Sequence, residues 1–259
     1  MRRIALAFAL ALAACGQPQE NTPPPVEEVY VRQPAPWFIC DATNFPAVFV
    51  FERTNQDVRV AEYDKPNGAI TQRIGYFIGT EEGAAGSLYT ELVRDEGSDG
   101  QIRQINPGML ENPGSAYTLP FSSLRLDGRD INCRWMPRTR VLGFTGRRSF
   151  VVYEDTSGDL IYTSYNFADA ANARPIDLSE NGRSTTPFSV EVRNGEESQT
   201  PQALSYTFET QGFRYVVNLN RDGTGSLDVS RDGVALQSEP LTAYQQGTAP
   251  ASQESAPTP

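Results

Sequence analysis

Between Leu204 and Leu236 apolar and polar side chains alternate with little interruption: Leu204, Tyr206 and Phe208; Phe213, Tyr215, Val217 and Leu219; Leu227 and Val229; Val234 and Leu236. A period of two marks strands buried on one face, because successive side chains leave a pleated backbone on opposite sides. Gln211-Gly212, Asp222-Gly223 and Asp232-Gly233 punctuate the runs, and such pairs supply the positive φ that tight hairpin turns require. The stretch therefore reads as a four-stranded meander. Its register is tightly specified, since a slip of one residue would turn a whole apolar set outward.

The same logic extends upstream. Ala47 to Arg53 is apolar and aromatic, and Val58 and Val60 alternate within Asp57 to Tyr63; Asp64-Lys65-Pro66-Asn67-Gly68 then supplies a turn before Ile70 to Ile78 runs back. Leu88 to Val93, Tyr117 to Phe121 and Val141 to Thr145 continue the pattern, and Ser149 to Glu154 and Leu160 to Phe167 flank the turn Asp155-Thr156-Ser157-Gly158-Asp159. From Ala168 to Gln202 the spacing fades among Pro175, Pro187, Pro201 and Asn181-Gly182; a short helical turn over Ala168 to Ala173 and a weak strand over Phe188 to Val192 are the expectations there. No window of about 12 residues carries a helical period. The expected class is all-β, an antiparallel sandwich or barrel-like fold in one domain or two subdomains: a β-rich domain over 37–167, an irregular connection over 168–202, and the meander of 203–245 packed on the preceding domain.

The ends of the chain have a different composition. Arg2 and Arg3 precede Ile4 to Ala14, a run without a polar side chain, which is the layout of a secretory signal, and it is too short to span a bilayer, for which about 20 apolar residues are needed. It closes on Leu12-Ala13-Ala14-Cys15, followed by Gly16, and this resembles the lipobox of bacterial lipoproteins. The resemblance implies a signal peptide over 1–14, lipid modification (palmitate) of Cys15 as the mature N-terminus, and anchoring through acyl chains. Gly16 is not the Asp that retains members of that family at the inner membrane, so the periplasmic face of the outer membrane is the implied address. The alternative is an ordinary signal peptide in which Cys15 is incidental. Residues 15–36, with Pro23-Pro24-Pro25, read as a linker able to reach roughly 60 Å if fully extended in polyproline geometry, and 246–259 as a disordered tail.

With Cys15 taken by lipid, Cys40 and Cys133 remain as an even pair in an oxidising compartment, and a disulfide between them is expected. A metal centre lacks partners for those thiols, because the chain has no histidine, and no cofactor is implied. The formal charge of −10 becomes −12 once the leader arginines are removed, which excludes nucleic acid as a partner on electrostatic grounds.

Against that acidic background, Arg125, Arg129, Arg134, Arg138, Arg140, Arg147 and Arg148 crowd a short segment that holds only Asp127 and Asp130. Arg134, Arg138, Arg140, Arg147 and Arg148 are the candidate anion- or partner-binding residues, since guanidinium groups grip carboxylates and phosphates bidentately. The other reading makes them strand arginines paired with acids elsewhere in the fold. Asn218 to Gly223 matches the first half of a calcium loop, but Val229 stands where a bidentate Glu is needed, so a hairpin turn is expected. Trp37, Phe38, Phe45, Phe49 and Phe51, with Tyr162, Tyr165 and Phe167, read either as a glycan platform or as core.

For catalysis the inventory is thin. Without histidine the commonest general base is gone, and a serine–lysine mechanism would need Lys65, the chain's one lysine, which reads as solvated in its turn. Paired acids such as Glu81 with Glu82, or Glu154 with Asp155, face opposite sides if they lie on strands. The chain also resembles periplasmic lysozyme inhibitors in one detail, Gly114-Ser115-Ala116-Tyr117, which partly matches their Ser-Gly-x-x-Tyr loop without the Lys-Gly segment that follows it there. The expectation is a non-catalytic envelope lipoprotein that binds a periplasmic protein or a cell-wall component such as peptidoglycan, with a lysozyme-type inhibitor and a carboxylate-dependent glycan hydrolase as alternatives.

Overall fold

The computed structural model describes residues 36–84, 87–94, 100–105, 121–134, 136, 138–169 and 188–247. Among them the regular structure is strand throughout, arranged in two antiparallel sheets, as the alternation requires. The first sheet is a sequential meander: β1 (Phe38–Asp41), β2 (Ala47–Thr54), β3 (Asp57–Asp64), β4 (Ile70–Ala84), β5 (Ser87–Val93), β6 (Gly100–Ile105), β7 (Phe121–Leu126) and β8 (Arg129–Asn132). The second comprises β9 (Thr139–Phe144), β10 (Arg148–Glu154), β11 (Leu160–Asn166), β12 (Val190–Gln199), β13 (Ala203–Thr210), β14 (Phe213–Asn220), β15 (Gly225–Arg231), β16 (Val234–Pro240) and β17 (Ala243–Gln246), with β17 returning to pair outside β9.

The first sheet curls until its ends meet. Ala42 bridges Cys133, the Arg134 amide donates to the Asp41 carbonyl at 2.8 Å, and the Cys40–Cys133 disulfide staples β1 to the end of β8. Inside lie Phe38, Phe49, Phe51, Leu92, Ile102 and Leu126, every one fully buried, with Phe38 and Phe51 stacked 4.0 Å apart. The second sheet encloses its own core around Tyr162, whose ring lies 5.5 Å from those of both Phe208 and Tyr215.

A third apolar cluster joins the two. Ile39, Val48 and Val50 of the first sheet meet Leu142, Phe144, Val151, Tyr165 and Phe167 of the second. This explains the unbroken apolar runs at Ala47–Phe51 and Val141–Phe144: both faces of those strands are covered, so alternation is lost where burial is greatest.

The meander of β13 to β16 and the hairpins β3–β4 and β10–β11 form as expected. Gln211-Gly212 and Asp232-Gly233 hold positive φ at both positions, the geometry that continues the strand twist through a two-residue turn. The sheets divide between β8 and β9, within the segment 37–167, because β9 to β11 pair onward to β12 rather than back to β8. Two expectations are revised. The strand expected over Phe188 to Val192 is the ten-residue β12, shifted to Val190–Gln199. Gln246, assigned to the tail, is held in β17 by pairing with Val141. The short strands β1, β6 and β8 carry too few apolar positions to show a period. The expected helical turn over Ala168 to Ala173, the 15–36 linker and the 246–259 tail lie largely outside the described residues, as does the strand at Tyr117 to Phe121 except for Phe121.

Candidate functional site

Charged groups concentrate where the two sheets meet. Asp41 ends β1 on the side opposite Cys40, so the alternation that buries the disulfide in the first core turns the carboxylate toward the second sheet. Lys65, in the β3–β4 turn, places Nζ 2.6 Å from Asp41 Oδ1 and donates to the Ala42 carbonyl at 2.6 Å. Arg134 Nε donates to Asp41 Oδ2 at 2.6 Å, and the Ser149 hydroxyl of β10 donates to the same oxygen at 2.5 Å. The Arg134 guanidinium lies 3.3 Å over the Tyr165 ring, and Lys65 Nζ is 6.0 Å from that of Phe167. All four members are 1% exposed or less.

Burial alone would push the Asp41 carboxyl up, but the charges of Lys65 and Arg134, with the hydrogen bonds from Lys65 and Ser149, overcome it and hold the group at about 2. Lys65 moves down from the ordinary lysine range: desolvation works against its ammonium, Asp41 opposes that, and Arg134 adds to it. Two cations against one buried anion leave an excess of positive charge, and this pulls the lysine toward its neutral form.

The expectation of a solvated Lys65 is corrected here. The turn is present, but the aliphatic stem folds inward because Asp41, 24 residues earlier, supplies the counter-charge. The Ser149 hydroxyl donates to Asp41, and with all four side chains buried the cluster ties the two sheets together.

The candidate arginines are divided among several acids. Arg134 is in the buried cluster; Arg138 Nη2 and Arg140 Nε donate to the two oxygens of Glu154 at 2.8 and 2.9 Å; Arg148 Nη2 reaches Glu239 at 2.9 Å and Gln237 at 3.0 Å. Arg147 is exposed in the β9–β10 turn and pairs with no acid among the described residues. Outside the set, Arg125 pairs with Asp130 and Arg129 grips Glu62 with both Nη atoms. Apart from Arg147, the local positive charge is thus met by acids, Asp130 and Glu154 near in sequence and Asp41, Glu62 and Glu239 far from it. Asp41 and Glu239, the most buried of them, gave no signal in the sequence that they would converge here.

The aromatics are mostly core: Phe38, Phe49, Phe51 and Tyr162 are fully buried, and Tyr165 and Phe167 face the inter-sheet cluster. Asn218–Gly223 is the β14–β15 turn, where Asp222 Oδ1 accepts from the Thr224 amide at 2.8 Å. No group of three or more His, Cys, Asp or Glu suited to a metal ion occurs among the described residues. Glu154 is held by two arginines, and Asp155 accepts from the amides of Ser157 and Asp159. Cys15 and Gly114 to Tyr117 lie outside the described residues. Comparison with protein-family models and with curated proteins returns no match.

Proposed function

We propose that this is a lipid-anchored protein of the bacterial envelope, a β-rich, non-catalytic module that binds a periplasmic protein or a cell-wall component. The observation that carries the reading is the pairing of cysteines. With Cys40 and Cys133 bonded to each other, the third cysteine, Cys15, is the one left at the end of the apolar leader, where acylation would fall. A disulfide that closes the first sheet fits an oxidising compartment, and a leader with a cationic start fits export to one. The buried charges are spent on joining the sheets, which suits a rigid binding scaffold on a linker.

Membrane fractionation tests this. The wild-type chain is expected to sediment with outer membranes and to need detergent for release, whereas Cys15→Ala should lose that membrane attachment or remain uncleaved. A wild-type chain recovered in the soluble cytoplasmic fraction would contradict the proposal.

A further inference from the structure

The outward face of β4 to β7 carries an open depression of about 400 Å³, lined by Thr80, Glu82, Tyr89, Glu91, Gln101 and Arg125, with Gly100 beneath. These side chains point away from the core because their neighbours Leu92, Ile102 and Leu124 point into it. Cross-strand register sets them in two rungs, Glu82 opposite Tyr89, and Glu91 opposite Gln101 opposite Arg125. Two contacts orient the lining in advance: Glu91 Oε2 accepts from the Thr80 amide at 3.1 Å, and Arg125 Nε donates to Asp130 at 2.8 Å.

We infer that this depression is a saccharide-binding site. The inference rests on the envelope reading and names the cell-wall component as glycan. One aromatic ring offers a flat surface to the C–H face of a pyranose, two carboxylates accept from hydroxyl groups, and the Gln101 amide and the Arg125 guanidinium donate to ring and hydroxyl oxygens. An apolar ligand would meet a single ring among charged groups, and an anion would meet Glu82 and Glu91. A hydroxyl-rich, uncharged ligand can satisfy every group in the lining. The volume falls within the range of small-molecule sites.

Calorimetric titration of the full-length chain in detergent with the tetrasaccharide of N-acetylglucosamine tests the site. Saturable binding is expected, weakened about tenfold by Tyr89→Ala, through loss of the ring surface. Glu82→Gln, an exposed and conservative change, should also weaken binding while leaving the melting curve unchanged, and it keeps the test valid if Tyr89→Ala unfolds. Absence of binding by the wild type, binding that neither variant alters, or preferential binding of a polyamine such as spermidine at this place overturns the inference. Soluble wild-type protein that still binds the tetrasaccharide would remove the envelope reading and leave the site; membrane-anchored protein that does not bind it would remove the site alone.

Discussion

Asp41 is the residue on which both sheets depend: β1 presents it, the β3–β4 turn and the segment after β8 bring cations to it, and β10 brings a hydroxyl. Its carboxyl sits at about 2 when folded against an ordinary value of 3.8, so between those values the unfolded chain binds more protons than the folded one. Stability from this group is therefore complete above about pH 4 and lost as pH falls toward 2, by about 2 kcal/mol. Urea unfolding across that window should show the loss, and Asp41→Asn should flatten the Asp41 part of it while costing about 3–5 kcal/mol at neutral pH, because two buried cations lose their anion. An unchanged acid limb in the variant would contradict the assignment. A sharper contrast lies at two adjacent residues. Arg148→Gln leaves the buried Glu239 with the Thr145 hydroxyl but without its counter-charge and should cost about 1–3 kcal/mol, whereas Arg147→Gln, on an exposed side chain, should leave the urea midpoint where it was. The arginine segment was legible as an anomaly of charge. Its buried acids Asp41 and Glu239 were not, because they reach it only through tertiary folding, whereas Glu154 lies across the local β9–β10 hairpin.

At the scale of elements, β12 makes the turn from one set of partners to another. Val190 to Gly195 pairs with β11, Glu196 to Gln199 with β13, and between Gly195 and Arg193 the register shifts around Asn194, which adopts a φ of 61°. A Cβ on Gly195 would lie 2.1 Å from the Phe208 ring, which is fully buried, so only glycine lets the strand pass over that side chain. Gly195→Ala is expected to cost about 1–3 kcal/mol by overpacking, and combining it with Phe208→Leu should cost less than the sum of the two changes. Thermal melts of the single and double variants measure the coupling; strict additivity would contradict the geometry. This element also marks where sequence reading ran out. β13 to β15 bury one face and alternate clearly, whereas most of β12 is exposed on both faces and shows no period. β2 and β9 lack alternation for the opposite reason, since burial on both sides replaces it with a continuous apolar run, yet those runs were still legible as strands.

Across the whole molecule, two separately cored sheets are joined by an apolar cluster and one charged cluster, and the disulfide closes the first sheet next to that joint. Its two cysteines are 93 residues apart, so on a chain-entropy argument the bond contributes about 4–5 kcal/mol, and Cys40→Ser with Cys133→Ser should lower the urea midpoint accordingly. The all-β class was readable because alternation and turn chemistry act locally. The position of the sheet boundary was not, because it depends on which neighbour β9 pairs with. The central claim remains that this scaffold is carried at a membrane by Cys15, and radioactive palmitate labelling of cells producing the wild type and Cys15→Ala tests it most directly. Label on the wild-type band and none on the variant is the predicted result; an unlabelled wild-type chain would contradict it.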